Sequence, residues 1–138
     1  MTDALTHLNW LGVLAATVAH SFLGGVWFMA LFGKQYAIAL GIADRPPQKP
    51  GPLFIVGPMV CSLITIATTA FLLRALQITS VGSALVLGLV IGVGYLTAMT
   101  VNIAINPLFP RPFRYAALNA PFFVLGSVMS SAILVAMS

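Results

Sequence analysis

One histidine, His20, lies in the middle of an apolar stretch, AHSFLGGVWFMALFGK, which covers residues 19–34. An ionisable side chain at such a depth in a membrane segment indicates a functional site by default. A neutral imidazole can pass a proton, hydrogen-bond a solute, or bind a metal or haem iron. Thr65 and Tyr95 fall at a similar depth in neighbouring apolar stretches, so the three side chains form a candidate solute or proton site. The alternative is that His20 is a packing residue, hydrogen-bonded to a hydroxyl or carbonyl of a neighbouring helix.

A second polar group combines amides with cations at one expected membrane face. Its members are Asn102, Asn106, Asn119, Lys34, Arg111 and Arg114. Amides and cations together suit a phosphate, a lipid headgroup or a small anion, which makes this a candidate cytoplasmic anion or headgroup site. The alternative is that the asparagines cap helix ends while the arginines extend along the helices to the membrane surface.

Several kinds of chemistry are excluded by residues that the chain lacks. The two carboxylates, Asp3 and Asp44, lie outside the apolar stretches, so a pair of acids inside the membrane is excluded. The sequence has no His-Glu spacing typical of a metal site and no glycine-rich phosphate loop. Cys61 is the single cysteine, which excludes an internal disulfide and a thiolate metal cluster. We therefore expect no enzyme activity, no metal and no cofactor.

The composition indicates which solvent surrounds these residues. Of the 138 residues, 60% are hydrophobic and 6% are charged, and the mean hydropathy is +1.07. Soluble domains carry about 25% charged residues, so this chain has too few charges to cover a water-facing surface. The sequence therefore predicts an integral membrane protein.

Four apolar segments are long enough to cross a bilayer, for which about 20 helical residues suffice. They run approximately over residues 9–32, 53–73, 81–105 and 115–137. Their apolar residues do not alternate with polar ones, as they do in the strands of a membrane barrel. The predicted fold is all-α: a single domain over residues 1–138 that forms an antiparallel bundle of four transmembrane helices.

The positive charges predict the orientation of this bundle. The first and third loops, residues 33–52 and 106–114, carry all the cations except Arg74. The cations of these two loops are Lys34, Arg45, Lys49, Arg111 and Arg114. Because cytoplasmic loops carry the excess of Lys and Arg, we expect both loops in the cytoplasm and both termini outside, in a bacterial cytoplasmic membrane. The cations suit anionic membrane lipids, and no nucleic-acid partner is needed to explain them.

Each segment has one face of small and polar residues, which predicts helix contacts because helices in lipid associate through small residues. The four faces are Gly12, Ala16, His20 and Gly24; Gly57, Cys61, Thr65 and Thr69; Ala84, Gly88 and Gly92, continued by Tyr95, Met99, Asn102 and Asn106; and Asn119, Gly126 and Ser130, with Ser127 and Ser131 adjacent. The predicted packing glycines are Gly12, Gly24, Gly88, Gly92 and Gly126.

Four single residues carry further expectations. Pro58 and Pro121 are expected in the first turns of their helices, where proline is tolerated. Trp27 is expected to anchor the first segment at the membrane surface. Cys61 is expected to be a small buried residue of the second segment.

Two stretches, FLGGVWFMALFGKQYAIALGI and NPLFPRPFRYAALNAPFF, contain short motifs that together span nearly the whole chain. The motif residues are Gly24 and Trp27, the run Phe32-Gly33-Lys34, the pair Arg111-Pro112, and Asn119, together with Asn102, which lies between the two stretches. In these residues the chain resembles a family of small bacterial four-helix membrane proteins that is known only as a domain of unknown function. The resemblance implies a four-helix membrane domain and an unassigned activity.

Two classes of function remain open. In the first, a homo-oligomer binds or passes a small solute or ion at the His20 site, since four helices alone enclose too little space for a wide pore. In the second, the protein is a non-catalytic accessory or lipid-binding subunit of a larger membrane complex. A histidine at the membrane midplane is costly to retain for packing alone, which favours the first class.

Overall fold

The computed structural model describes residues 6–46 and 49–138 of the chain, so Asp3 lies outside the described residues. The helices are α1 (Trp10–Leu31), α2 (Gly33–Leu40), α3 (Pro52–Ala75), α4 (Val81–Ala104) and α5 (Pro112–Ala136). All except α2 are long and apolar enough to cross a membrane. The described part of the chain contains no strand, and the predicted all-α fold with four membrane-spanning helices is confirmed.

Prolines mark where two of the helices begin. Pro52 and Pro112 occupy the first positions of α3 and α5, where the missing N–H would be unpaired in any case. Pro58 and Pro121 follow these first positions by more than one turn and lie inside the helices. The prediction that these two prolines lie in first turns is therefore wrong.

The centre of the bundle is α5, which contacts every other helix. At the end of α5 near the chain termini, the side-chain amide of Asn9 donates to the carbonyl of Met137 over 2.6 Å, while its oxygen accepts from the N–H of Gly12 at the start of α1. Gly12 itself faces Met137, and Gly24 faces Phe122 further along α5. The small residues of α1 therefore lie against α5 within one chain, in antiparallel pairing.

Two glycines bring the backbones of α4 and α5 into direct contact. A Cβ atom placed on Gly88 would lie 2.8 Å from Cα of Val128, and one placed on Gly92 would lie 2.8 Å from Cα of Val124. Real Cβ atoms do not approach other atoms so closely. Both glycines therefore pack inside the chain's own bundle, as the small-residue rule for membrane helices predicts.

The second half of α4 turns a different face inward from the one expected. The segment Ile91–Thr97 is a π-helix, in which each turn holds one more residue than in an α-helix. After Gly92 the inward residues are Leu96, Thr100 and Ala104. The residues expected on this face, Tyr95, Met99, Asn102 and Asn106, are all exposed on the outside of the bundle. The prediction that the face of small and polar residues continues at α-helical spacing beyond Gly92 is therefore wrong.

The first and third loops meet beside α2. Gly41 ends α2 in the left-handed conformation, with φ +70°, and the N–H of Ile42 donates to the carbonyl of Ala37 over 3.0 Å. Such a helix ending favours glycine because a Cβ atom is strained at positive φ. A Cβ atom on Gly41 would also lie 2.9 Å from Cγ of Pro110 in the third loop. The first and third loops are therefore in close contact at the end of α2.

We predict that Gly88→Ala lowers the free energy of unfolding by about 1–3 kcal/mol, because the added methyl group forces α4 and α5 apart. Gly82→Ala is the matched control: it lies on the same helix, nothing lies within 4 Å of the new methyl group, and the change should be neutral or slightly stabilising. Unfolding in mixed detergent micelles measures both values. Equal effects of the two substitutions would contradict the close contact of α4 with α5.

Candidate intramembrane site

A cavity of about 570 Å³ lies inside the bundle, mainly between α1, α3 and α5. Along α5 its wall runs from Tyr115 to Ser130, which corresponds to about 22 Å of helix axis. Along α3 the wall runs from Phe54 to Thr69, a stretch of the same length. The cavity therefore extends over most of the hydrocarbon core, which is about 30 Å thick.

The cavity exists because α3 packs closely along only part of its length. Its buried residues, Ile66, Thr69 and Leu73, all belong to the half that precedes the second loop. There Ile66 and Leu73 join a hydrophobic cluster with Val13 and Leu134. Between residues 52 and 60, by contrast, α3 has no buried residue among those described. The other half of α3 therefore leaves a space against α1 and α5.

His20 lines this cavity from α1 and lies directly against Gly126 of α5. A Cβ atom on Gly126 would overlap Cε1 of the ring and lie 2.6 Å from Nδ1, so only glycine leaves room for the imidazole. The ring also packs edge-on against Phe122, with centroids 5.1 Å apart and an interplanar angle of 62°. Although His20 is only 7% exposed, Nδ1 makes no hydrogen bond of normal geometry with the described residues, and the ring interacts with the polar backbone of Gly126.

The serines beside the cavity differ from five threonines of the bundle, although the hydroxyl of Thr97 in α4 is also buried without a partner among the described residues. Each of five threonine hydroxyls donates to the carbonyl four residues earlier, over 2.7–2.9 Å. These are Thr17, Thr65, Thr68, Thr69 and Thr100. Within the described part of the chain, the buried hydroxyls of Ser21, Ser127 and Ser130 have no partner. All three serines line the same cavity as His20.

Unpaired polar groups in hydrocarbon carry a substantial free-energy cost. A buried donor or acceptor without a partner costs about 1–3 kcal/mol, and the membrane core holds no bulk water that could replace the partner. Four such groups, on His20, Ser21, Ser127 and Ser130, belong to residues that line one cavity. This arrangement favours a bound molecule or ordered water at the polar part of the cavity.

A series of aromatic rings leads from His20 towards the first and third loops. Phe122 packs against His20 and against Phe28, with centroids 5.1 Å and 5.0 Å away. Phe28 packs against Tyr36 at 5.0 Å, and Tyr36 lies 5.8 Å from Tyr115. All five rings line the cavity. The cavity thus has an aromatic wall beside its polar groups, and rings in such a wall offer edge-to-face contacts to a flat ligand.

Tyr36 stays uncharged at this wall. Burial raises the pKa of its hydroxyl above the ordinary value of 10.0, and the neighbouring Tyr115 hydroxyl raises it further. The phenol is therefore protonated at physiological pH and can donate a hydrogen bond. Tyr36 belongs to α2, which lies outside the membrane-spanning helices.

The structure brings two of the three predicted solute-site residues together. His20 and Thr65 line the cavity from α1 and α3. Tyr95 is 73% exposed on the outside of the bundle and is not part of the cavity wall. The reason is the π-helical segment of α4, which turns Leu96 rather than Tyr95 towards the cavity. Including Tyr95 in the site was therefore wrong.

The predicted anion or headgroup site is divided between different surroundings. Asn119 is buried, lines the cavity and donates to the carbonyl of Tyr115 over 2.8 Å, so it lies inside the bundle instead of at the membrane face. Asn102 is exposed on α4, and the side chain of Asn106 accepts from the N–H of Leu108 within the third loop. Neither amide therefore shares the cavity with Asn119.

The cations of that predicted site are exposed. Lys34 lies on α2, and Arg111 immediately precedes α5. Arg114 donates to the side-chain oxygen of Gln35, which joins α5 to α2. These side chains surround the end of the bundle at the first and third loops, where they are free to contact lipid headgroups.

Two expectations about single residues were wrong. Trp27 is half-buried, and its indole N–H donates to the carbonyl of Leu118 over 3.0 Å, so it joins α1 to α5 instead of anchoring the membrane surface. Its ring lies 6.3 Å from that of Phe122. Cys61 is exposed and lines the cavity, because it lies in the part of α3 that stands away from the bundle.

Sequence reasoning missed Ser21 and the aromatic wall. Ser21 follows His20 directly, and a polar pair in a membrane segment was the available signal. Phe28 and Phe122 look like lipid-facing residues by composition, and only the tertiary contacts show that they line a cavity. In residues 6–46 and 49–138 no group of three or more His, Cys, Asp or Glu could hold a metal ion.

The family model described as "Protein of unknown function (DUF1761)" matches residues 11–135. The chain belongs to this family. The resemblance inferred from Gly24, Trp27 and Asn119 is thereby confirmed, and the match covers all four membrane-spanning helices almost completely. No match was found among curated proteins or among solved structures. The candidate site of this DUF1761 chain therefore has to be interpreted from its own residues.

We predict that Gly126→Ala displaces the His20 ring and lowers the free energy of unfolding by about 1–3 kcal/mol. His20→Ala removes the overlapping ring, so Gly126→Ala should cost much less in that background, with a coupling energy of about 1 kcal/mol or more. Unfolding of the two single variants and the double variant gives this coupling. Gly25→Ala is the control, because nothing lies within 4 Å of its new methyl group. Additive effects would contradict the contact of His20 with Gly126.

Proposed function

We propose that this DUF1761 membrane protein binds a small solute within the bilayer, in the cavity lined by His20 and Thr65. The single observation that carries the proposal is the group of unpaired polar atoms at this cavity, on His20, Ser21, Ser127 and Ser130. Unpaired hydroxyls are not general in the cavity wall, since Thr65 and Thr69 of the same wall satisfy their hydroxyls within their own helix. A bound solute supplies the missing partners.

The proposal includes passage of the solute across the membrane. The cavity wall covers about 22 Å of helix axis, compared with a hydrocarbon core of about 30 Å. The part of the cavity that lies between His20 and the first and third loops is lined by Phe28, Tyr36 and Tyr115. A solute at His20 passes along this part to reach the loops. We also propose that the protein acts as a homo-oligomer, because one bundle of four helices encloses no wide pore.

We propose a bacterial cytoplasmic membrane, with the first and third loops in the cytoplasm and both termini outside. The support is the distribution of charge. Lys34, Arg45, Lys49, Arg111 and Arg114 all lie at the end of the bundle where α2 packs beside α5, and Arg74 lies at the opposite end. Positive charge is retained on the cytoplasmic side of membrane proteins.

We predict that the protein, gently extracted from its own membranes, retains a small molecule that native mass spectrometry detects. Removing the unpaired imidazole by His20→Ala should reduce the retained fraction about tenfold, since binding groups at a desolvated site contribute on the order of 1–3 kcal/mol. Tyr95→Phe is the matched control, because Tyr95 is exposed and outside the cavity. It should retain the molecule as the unchanged protein does.

The same spectra distinguish the alternative class of function. Recovery of the chain mainly with a different, larger protein, with an empty cavity, would contradict solute binding and support an accessory subunit. The mass of the complex also gives the number of copies and tests the proposed homo-oligomer.

We predict the orientation from cysteine labelling in intact cells with a membrane-impermeant maleimide. In a Cys61→Ser background, Thr79→Cys in the second loop should be labelled, whereas Arg45→Cys in the first loop should be labelled only after the cells are opened. Both positions are exposed, so access to the reagent depends on the side of the membrane. The reverse pattern would overturn the proposed orientation.

A further inference from the structure

We infer that the ligand of this cavity is an uncharged, lipid-soluble compound with a planar head group that carries a hydrogen-bond-accepting oxygen. The inference rests on the proposed function, because it names the class of molecule that the His20 cavity takes up. It also gives the route of entry, which is sideways from the bilayer between α1 and α3.

The charge of the ligand follows from the residues around it. None of the described residues that line the cavity is Lys, Arg, Asp or Glu. An ion without a counter-charge in a hydrocarbon environment is strongly disfavoured. The polar groups of the wall are hydroxyls, an imidazole and the amide of Asn119, which suit a neutral molecule.

The route of entry follows from side chains that belong both to the cavity and to the outer surface. Met29 of α1 is 85% exposed and Phe54 of α3 is 74% exposed, and both line the cavity. Ile55 and Met59 of α3 are also exposed and also line it. In a membrane this outer surface faces lipid chains. The space between these apolar residues is therefore an opening to the bilayer, which suits a ligand dissolved in lipid.

The residues at the opposite end of the cavity indicate the chemistry of the ligand's head group. Ser127 and Ser130 line the same cavity as His20 and have unpaired hydroxyls, whereas Thr65 and Thr69 have already donated their hydrogens to their own helix. The serine hydroxyls are therefore available as donors. An acceptor oxygen on the ligand forms the hydrogen bonds that these hydroxyls lack. Phe122 packs against His20 at this end, which favours a planar group over a bulky one.

The test uses three compounds that share an octylphenyl skeleton: 4-octylacetophenone, octylbenzene and 4-octylbenzoate. Only the first is uncharged with an acceptor oxygen; the second lacks the oxygen, and the third is an anion at alkaline pH. The indole N–H signals of Trp27 and Trp10 report binding by NMR in lipid nanodiscs. The concentration of each ligand is expressed as its molar ratio to lipid. Trp27 bonds to Leu118 and packs against Phe122, whereas Trp10 is exposed at the start of α1 and serves as the internal control.

We expect 4-octylacetophenone to shift the Trp27 signal saturably and to bind at least about tenfold more tightly than the other two compounds. Ser130→Ala should weaken its binding about fivefold, because one donated hydrogen bond is lost. Ser131→Ala is the matched control: this neighbouring hydroxyl is also buried and unpaired, but it faces Gly88 of α4 and not the cavity. It should leave the affinity unchanged.

Four results would overturn the inference. Equal binding of octylbenzene would mean that the polar groups do not select the ligand, and tightest binding of 4-octylbenzoate would mean that the ligand is charged. If no compound shifts Trp27 while the extracted protein retains a molecule that His20→Ala releases, the ligand class is wrong and the proposed function stands. If no compound binds and no molecule is retained, both fail.

Discussion

An imidazole ring can lie against a neighbouring helix only where that helix has no side chain, and Gly126 provides this position on α5. The contact sets how closely α1 and α5 approach at the middle of the membrane. It also decides what surrounds the histidine, because Phe122 and Ser130 lie one turn before and one turn after Gly126 on the same face. The same face of α5 thus carries an aromatic ring that packs against His20 and, one turn after Gly126, an unpaired hydroxyl in the same cavity.

Composition and small-residue spacing predicted most of the fold, because both reflect the lipid solvent. Gly12, Gly24, Gly88 and Gly126 all lie at contacts between helices of one chain, as expected from close packing without a hydrophobic driving force. The prediction failed where the helix was not α-helical. The inward positions of α4 repeat every four residues from Ala84 to Ala104, and on an ideal α-helix this spacing would drift by roughly 200°. The π-helical segment offsets much of that drift, and local residue propensities do not predict such a segment.

The candidate site was predictable only as a set of residue types. His20 was recognisable because an ionisable group in a membrane segment is rare, and Thr65 because of its depth. Whether a hydroxyl is free is a different question, since serine and threonine can both bond to their own helix. Thr65 and Thr69 of the cavity wall do so, whereas Ser127 and Ser130 do not. This difference arises from side-chain rotamers and tertiary contacts, which the sequence pattern does not encode.

The two ends of the bundle differ in how closely α3 packs against the other helices. Near the second loop, Ile66 and Leu73 of α3 complete a hydrophobic cluster with α1 and α5, which fixes the order of the helices. Towards the first loop, the same helix stands away and leaves a cavity with unpaired polar atoms. A bundle packed equally along its whole length would bury those atoms against lipid-like side chains at a cost of about 1–3 kcal/mol each. The open half of α3 therefore lowers the free-energy cost of the polar residues, because it leaves room for a molecule or water to pair with them.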